Sequence, residues 1–226
     1  MKIGLIYTST TPELVELVEW EVIAQLGPDV ELLSMQDPSI LEEIRRAGYV
    51  TAAAAARLVK IYMNAVCQGV SAILNICSSV GEVADACQDL SRYIGVPIVR
   101  IDEEMCRAAV RAGRRVAVMA TLPTTLNPTK NTLLRVAREM GRQVELVDVL
   151  VDGAFGLDRE HFKLRMARAA ADISDRVDII LLAQGSMACC EGEIACLCGR
   201  PVFSSPRFGA LDLKRALVGK GILPDN

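Results

Sequence analysis

At 226 residues with 51% hydrophobic content, the chain has enough apolar surface to build a sizeable core, as one domain or as two small lobes. Its 25 basic and 28 acidic residues are interspersed and leave a formal charge of −3, which excludes the basic stripe of a nucleic-acid binder and the polybasic block of a membrane-surface protein, so the expected partner is a small molecule. No apolar run is long enough for a membrane span or a signal-peptide core, which predicts a cytoplasmic protein whose eight cysteines stay reduced.

Short β-rich apolar runs alternate with Ala-, Leu- and Arg-rich stretches of helical period, the pattern of an α/β protein with parallel sheets. The predicted order is strand 2–7, helix 12–26, strand 30–35, helices 39–46 and 51–68, strand 71–76 and helix 80–94. It continues with strand 97–101, helix 103–112, strand 115–120, helix 128–140, strand 143–149, helix 159–174, strand 178–183, helix 187–198, strand 201–204 and helix 209–218.

The two halves echo each other. KIGLIYTS at 2–9 matches RVAVMATL at 115–122, and VELLSM at 30–35 matches VELVDV at 144–149. VSAILNICSS at 70–79 matches VDIILLAQGS at 177–186, and VPIVRI at 96–101 matches RPVFSS at 200–205, in the same order. This internal repeat predicts two pseudo-symmetric Rossmann-like lobes, residues 1–95 plus 209–226 and residues 96–208, with an active-site cleft between them. Ligands in such folds bind beyond the carboxyl ends of the strands. The loops there are Thr8-Ser9-Thr10-Thr11, Cys77-Ser78-Ser79, Thr121 to Thr125 and Gln184-Gly185-Ser186. They offer small hydroxyls and free amides, with no arginine, lysine or histidine. Such groups hold a carboxylate by several neutral hydrogen bonds, helped by helix N-termini, although any one of these loops also reads as ordinary helix capping.

One thiol stands among those loops. In the repeat Cys77 aligns with Gln184, a side chain that does not titrate. If Cys77 sits just before a helix starting near Val80, the dipole and free amides are expected to lower its pKa; the plainer alternative is a small residue ending a buried strand. Cys189 and Cys190 follow Gln184 by five and six residues, and Cys189 is a candidate for a second acid/base. Cys189, Cys190, Cys196 and Cys198 lack the spacing of a metal site, so no metal is expected. Neither a dinucleotide fingerprint nor a P-loop occurs, which predicts no cofactor. His161 opens a charged helix and is expected to be exposed.

With these segments in hand, the chain resembles the aspartate/glutamate racemase superfamily along essentially its whole length. ILNICSS resembles that family's first cysteine motif, AVMATLPTT its A-T-x-x-T motif, and IILLAQGSM its second cysteine motif with Gln184 in place of the cysteine. IDEEM resembles the segment carrying a family glutamate, which falls on Glu103. The resemblance implies cofactor-independent chemistry on a small carboxylate, an amino or dicarboxylic acid, with Cys77 as a catalytic thiol and the chain as a homodimer. Thr8, Ser9, Ser78, Ser79, Thr121 and Thr124 would hold the substrate, with Gln184, Gly185 and Ser186 contributing from the second motif. Racemisation needs a base on one face of the carbon and an acid on the other. The loss of the second cysteine therefore keeps open a single-cysteine decarboxylase or cis-trans isomerase, and a non-catalytic carboxylate-binding protein.

Overall fold

In chain order the computed structural model, which describes residues 1–224, begins with β1 (Lys2–Tyr7), α1 (Pro12–Leu26), β2 (Glu31–Gln36), α2 (Pro38–Ala47), α3 (Ala52–Cys67) and β3 (Ala72–Ile76). Next come α4 (Gly81–Ala86), α5 (Gln88–Ile94), β4 (Ile98–Arg100), α6 (Glu103–Ala112), β5 (Arg115–Ala120) and α7 (Pro123–Glu139). The chain ends with β6 (Glu145–Leu150), α8 (Arg159–Ala171), β7 (Ile179–Leu182), α9 (Glu191–Cys198), β8 (Val202–Ser204) and α10 (Ser205–Gly219). Two units result: Met1–Ile101 with the chain from Pro206 onward, and Asp102–Ser205.

Each unit is built on a four-stranded, all-parallel sheet, ordered β2-β1-β3-β4 in the first and β6-β5-β7-β8 in the second. The strand orders correspond element for element, as the sequence repeat predicts. β3 and β7 are central and fully buried, which is why AILNI and IILL read as almost continuous apolar runs. The outer strands β2 and β6 keep partly exposed residues. Side-chain caps start several helices: Thr11 accepts from the Leu14 N–H ahead of α1, and Asp37, Thr51 and Asp158 do the same for α2, α3 and α8.

In the first unit, one face of the sheet packs Leu5, Leu74 and Val99 against Val18 and Val22 of α1 and Ala210, Leu213 and Leu217 of α10. The other face packs Ile6 and Ile73 against Ile44 of α2 and Leu58 and Tyr62 of α3. In the second unit, Met119, Ile180 and Leu182 pack against Met166 and Ala170 of α8 and Ile194 of α9. Removing each large side chain of this kind from water is worth about 1.5–3 kcal/mol, so these faces dominate the stability of each sheet.

Four sequence expectations shift. The first lobe does not end at residue 95. β4 hydrogen-bonds to β3 in the register Ile73↔Ile98, so the chain leaves the first unit after Ile101 and returns at Pro206 rather than at 209. Residues 225–226 of the expected lobe lie outside the described residues. The predicted helix 80–94 divides at Cys87 into α4 and α5. The helix predicted from 128 begins at Pro123, so Thr124 and Thr125 belong to its first turn rather than to a loop. The helix predicted over 187–198 opens as a 3-10 turn, Gly185–Cys190, before α9.

Candidate active site

β1 and β3 are neighbours, with Tyr7 opposite Ile76, so their carboxyl ends bring Thr8 beside Cys77. Cys77 has extended backbone and caps a 3-10 turn, Ser78–Val80. The thiol is half-buried, while Thr8, Ser78 and Ser79 are buried and Ser9 is partly exposed. Burial pushes the Cys77 pKa up. The Thr8 hydroxyl, the Ser79 and Val80 amides and the Ser79 hydroxyl pull in the other direction, but burial wins. The expectation that the following helix would lower this pKa is therefore corrected. The helical segment here is one short turn, and the amides it supplies do not offset the loss of water.

The Thr8 hydroxyl lies close enough to the thiol to favour its ionised form. Its oxygen nonetheless closes no hydrogen bond of ordinary geometry and stays buried without a partner.

Behind Cys77 runs a network that the sequence reading missed. The Tyr62 hydroxyl donates to Asn75 Oδ1 at 2.9 Å, and Asn75 Nδ2 donates to the Cys77 carbonyl at 3.1 Å. Burial holds Tyr62 as the neutral phenol, well above its usual pKa, so it remains a donor. Alongside, Arg100 at the end of β4 is buried and paired with Asp85 at 2.6 Å. The available signal was Asn75 itself, a polar residue inside an otherwise apolar strand.

The second unit repeats the arrangement with different chemistry. β5 and β7 are neighbours, with Met119 opposite Leu182, and their ends bring Thr121 beside Gln184. Gln184 Oε1 accepts from the Thr121 N–H at 2.7 Å and from the Thr121 hydroxyl at 2.9 Å. Both donors that Thr121 was expected to offer a substrate are spent on Gln184. Thr124, in the first turn of α7, has a buried hydroxyl oxygen without a partner. Gly185 and Ser186 open the 3-10 turn, with Ser186 exposed.

Cys189 is exposed on that same turn, 3.8 Å from the sulfur of buried Cys190 and 3.5 Å from the Ser186 carbonyl oxygen. The hydrogen bond from Cys190 lowers the Cys189 pKa to about 6, outweighing the opposing cost of burial, and Arg159 and Lys163 help to a lesser degree. Cys190 moves the opposite way, far above the thiol range. Glu103 is the residue on which the resemblance places a family glutamate. It pairs with Arg107 and Arg135, each at 2.8 Å, tying α6 to α7. Against the cost of burial, the two guanidiniums keep its carboxyl below the ordinary range. His161 is exposed, 2.7 Å from Asp158. Among the described residues no three His, Cys, Asp or Glu side chains cluster to hold a metal ion, and no helix is long and apolar enough to cross a membrane.

Residues 3–211 match the family model for Asp/Glu/Hydantoin racemase. The chain belongs to this racemase family. Among solved structures it is similar to glutamate racemase from Francisella tularensis in complex with D-glutamate, at TM-score 0.70 and 15% identity, covering 100% of this chain and 84% of that one. Allantoin racemase from Klebsiella pneumoniae aligns at TM-score 0.66 and 20% identity, covering 98% and 89%. Aspartate racemase from Picrophilus torridus aligns at TM-score 0.66 and 12% identity, covering 97% and 94%. At these identities the structures establish a shared fold. No curated protein matches the chain significantly in sequence.

Proposed function

We propose that this racemase-family protein is a cofactor-independent isomerase that moves a proton at the carbon next to the carboxylate of a small amino or dicarboxylic acid. The observation that carries the reading is the Cys77 thiol at the carboxyl end of β3, met by the Ser79 and Val80 amides and by the unpartnered Thr8 hydroxyl. A substrate carboxylate or enediolate oxygen would complete that set of donors. Because burial raises its pKa, Cys77 carries its proton at neutral pH and is suited to act as the acid. Cys189, lowered to about 6, is the candidate base. Two thiols whose surroundings push their pKa values apart supply one acid and one base.

A second reading has a specific observation behind it. Gln184 stands where the repeat has Cys77 and is locked to Thr121 through its carbonyl. A single protonated Cys77 suffices to deliver a proton to an enediolate after decarboxylation of a malonate-like acid, and a lone thiol can also form the adduct needed for cis-trans isomerisation. The test is deuterium incorporation from D₂O across a panel of amino and dicarboxylic acids. For racemisation or decarboxylation alike, Cys77→Ser should lose deuterium incorporation by at least about a hundredfold, since removing a positioned proton-transfer group typically costs 10²–10⁴. Exchange by Cys77→Ser at the wild-type rate would overturn both. An equally inactive Cys189→Ser supports the two-thiol isomerase, whereas an active one points to single-thiol chemistry.

A further inference from the structure

In the proposed reaction Cys190 acts only through its hydrogen bond to Cys189, yet its sulfur lies 3.8 Å from that of Cys189, the two side chains being adjacent in sequence. Cys190 is 1% exposed and packs in the core of the second sheet with Met187 and Ile194. Cys189 is exposed at the turn just before α9. One thiol therefore meets solvent and the other waits behind it. The N-terminal end of α8 supplies positive charge through Arg159 and Lys163, and Lys163 also reaches Glu193 of α9 at 3.4 Å.

We propose that Cys189 and Cys190 form a peroxide-oxidisable vicinal dithiol, with Cys189 as the attacking sulfur and Cys190 as the resolving one. In the first step the Cys189 thiolate attacks one oxygen of hydrogen peroxide, the O–O bond breaks, hydroxide leaves and Cys189 becomes a sulfenic acid. In the second step the Cys190 sulfur attacks the sulfenic sulfur, an S–S bond forms, and the departing hydroxyl takes the Cys190 proton as water. The dithiol gives up two electrons and peroxide accepts them. Selectivity comes from the Cys190 hydrogen bond and the nearby cations, which keep Cys189 mostly thiolate at pH 7.4. An ordinary exposed thiol with a pKa near 8.5 is ionised to only about one part in ten there, so Cys189 should react about tenfold faster. The other exposed cysteines, Cys67 and Cys196, provide the internal comparison. Closing the ring would reshape the Gly185–Cys190 turn and remove the thiolate that the proposed isomerase would use. The oxidation itself requires neither Cys77 nor a substrate.

The experiment treats the full-length protein with stoichiometric hydrogen peroxide, blocks the remaining thiols and maps peptides by mass spectrometry. The expected result is loss of two hydrogens from the peptide carrying Cys189 and Cys190, about tenfold faster than oxidation of Cys67 or Cys196. In Cys190→Ser the reaction should stop at a sulfenic acid on Cys189 that dimedone captures, and in Cys189→Ser neither product should form. Should Cys190→Ser fail to fold, phenylarsine oxide on the wild type reads the same geometry. Its arsenic exchanges oxygen for both sulfurs with release of one water, giving one bridging adduct on this peptide that prior peroxide treatment prevents. Oxidation of Cys189 no faster than Cys67 and Cys196, or an arsenical that bridges no pair here, would overturn the proposal. None of these readouts depends on turnover, so they fail or succeed separately from the proposed reaction.

Discussion

Cys77 and Cys189 are the same functional group in two electrostatic settings. Cys77 loses water and gains only partial compensation from one hydroxyl set and two amides, so its thiol form is favoured. Cys189 keeps water, receives a hydrogen bond from Cys190 and has cations nearby, so its thiolate is favoured. Iodoacetamide labelling against pH should separate them. Labelling of Cys189 is expected to rise with a midpoint near pH 6 and level off by neutrality. That of Cys77 should rise at higher pH than that of an ordinary exposed thiol, because burial raises its pKa. The fold follows the same sign. A group whose folded pKa is lowered contributes its full stabilisation above the unfolded value and loses it as pH falls through about 6, so the thiolate contacts of Cys189 weaken under mild acid. Coincident labelling curves for the two cysteines would show these settings to be wrong. The identity of Cys77 as a strand-end thiol was legible in ILNICSS, and so was its pairing with Gln184 through the repeat. The direction of its pKa was not, because that depends on how deeply one short turn buries it. Thr121 was read as a free donor because nothing in ATLPTT reveals that the glutamine of another strand takes both of its hydrogens.

Among the elements, α10 shows how a close approach decides the sign of a substitution. Glycine inside a helix usually costs about 0.5–1 kcal/mol relative to alanine, so replacing one ordinarily stabilises. At Gly209 a Cβ would lie 2.9 Å from the Ile101 Cα, 3.0 Å from its carbonyl oxygen and 2.7 Å from its Cγ1. Backbone cannot move aside as a side-chain tip can. Gly209→Ala is therefore expected to destabilise by about 1–3 kcal/mol, the usual cost of overpacking. Gly219, at the end of the same helix, meets nothing within 4 Å, and Gly219→Ala should be neutral or slightly stabilising. Urea midpoints of the two variants check the contrast, and a Gly209→Ala protein as stable as wild type would show that the contact between α10 and Ile101 gives way. The sequence disclosed α10 through its apolar spacing but not this contact, which depends on tertiary approach. It also misplaced the start of α7. Pro128 looks like a first helical residue, but Pro123 carries the same signature, and the hydroxyl-rich stretch between them is helical. Pro128 lies inside the helix, where its missing N–H leaves the Thr124 carbonyl without its helical donor.

For the whole molecule, the route of the chain matters more than the repeat. Each sheet has the same strand order, but only the second unit is continuous, from Asp102 to Ser205. The first is completed by chain that arrives after the second has been made. The sequence repeat already paired VPIVRI with RPVFSS as fourth strands; the expected lobe boundary nevertheless fell at residue 95, ahead of β4, and the Ile73↔Ile98 register assigns β4 to the first sheet. This asymmetry predicts how the two halves behave apart. A fragment spanning 102–205 keeps all four strands of its sheet, the packing of α8 and α9 on it, and the Glu103, Arg107 and Arg135 ties between α6 and α7. It is expected to fold alone and unfold in one cooperative urea transition, as single domains of roughly a hundred residues do. A fragment spanning 1–101 lacks α10 and exposes the face that Ala210, Leu213 and Leu217 cover. At about 1.5–3 kcal/mol for each buried leucine, plus a smaller share for the alanine, the loss reaches the lower part of the roughly 5–15 kcal/mol that holds a typical domain together. That fragment should show no cooperative transition until a peptide covering 205–224 is added. Far-UV circular dichroism during urea titration reads both outcomes. A 102–205 fragment that melts without cooperativity, or a 1–101 fragment that folds without the peptide, would mean that the two units do not hold their own cores.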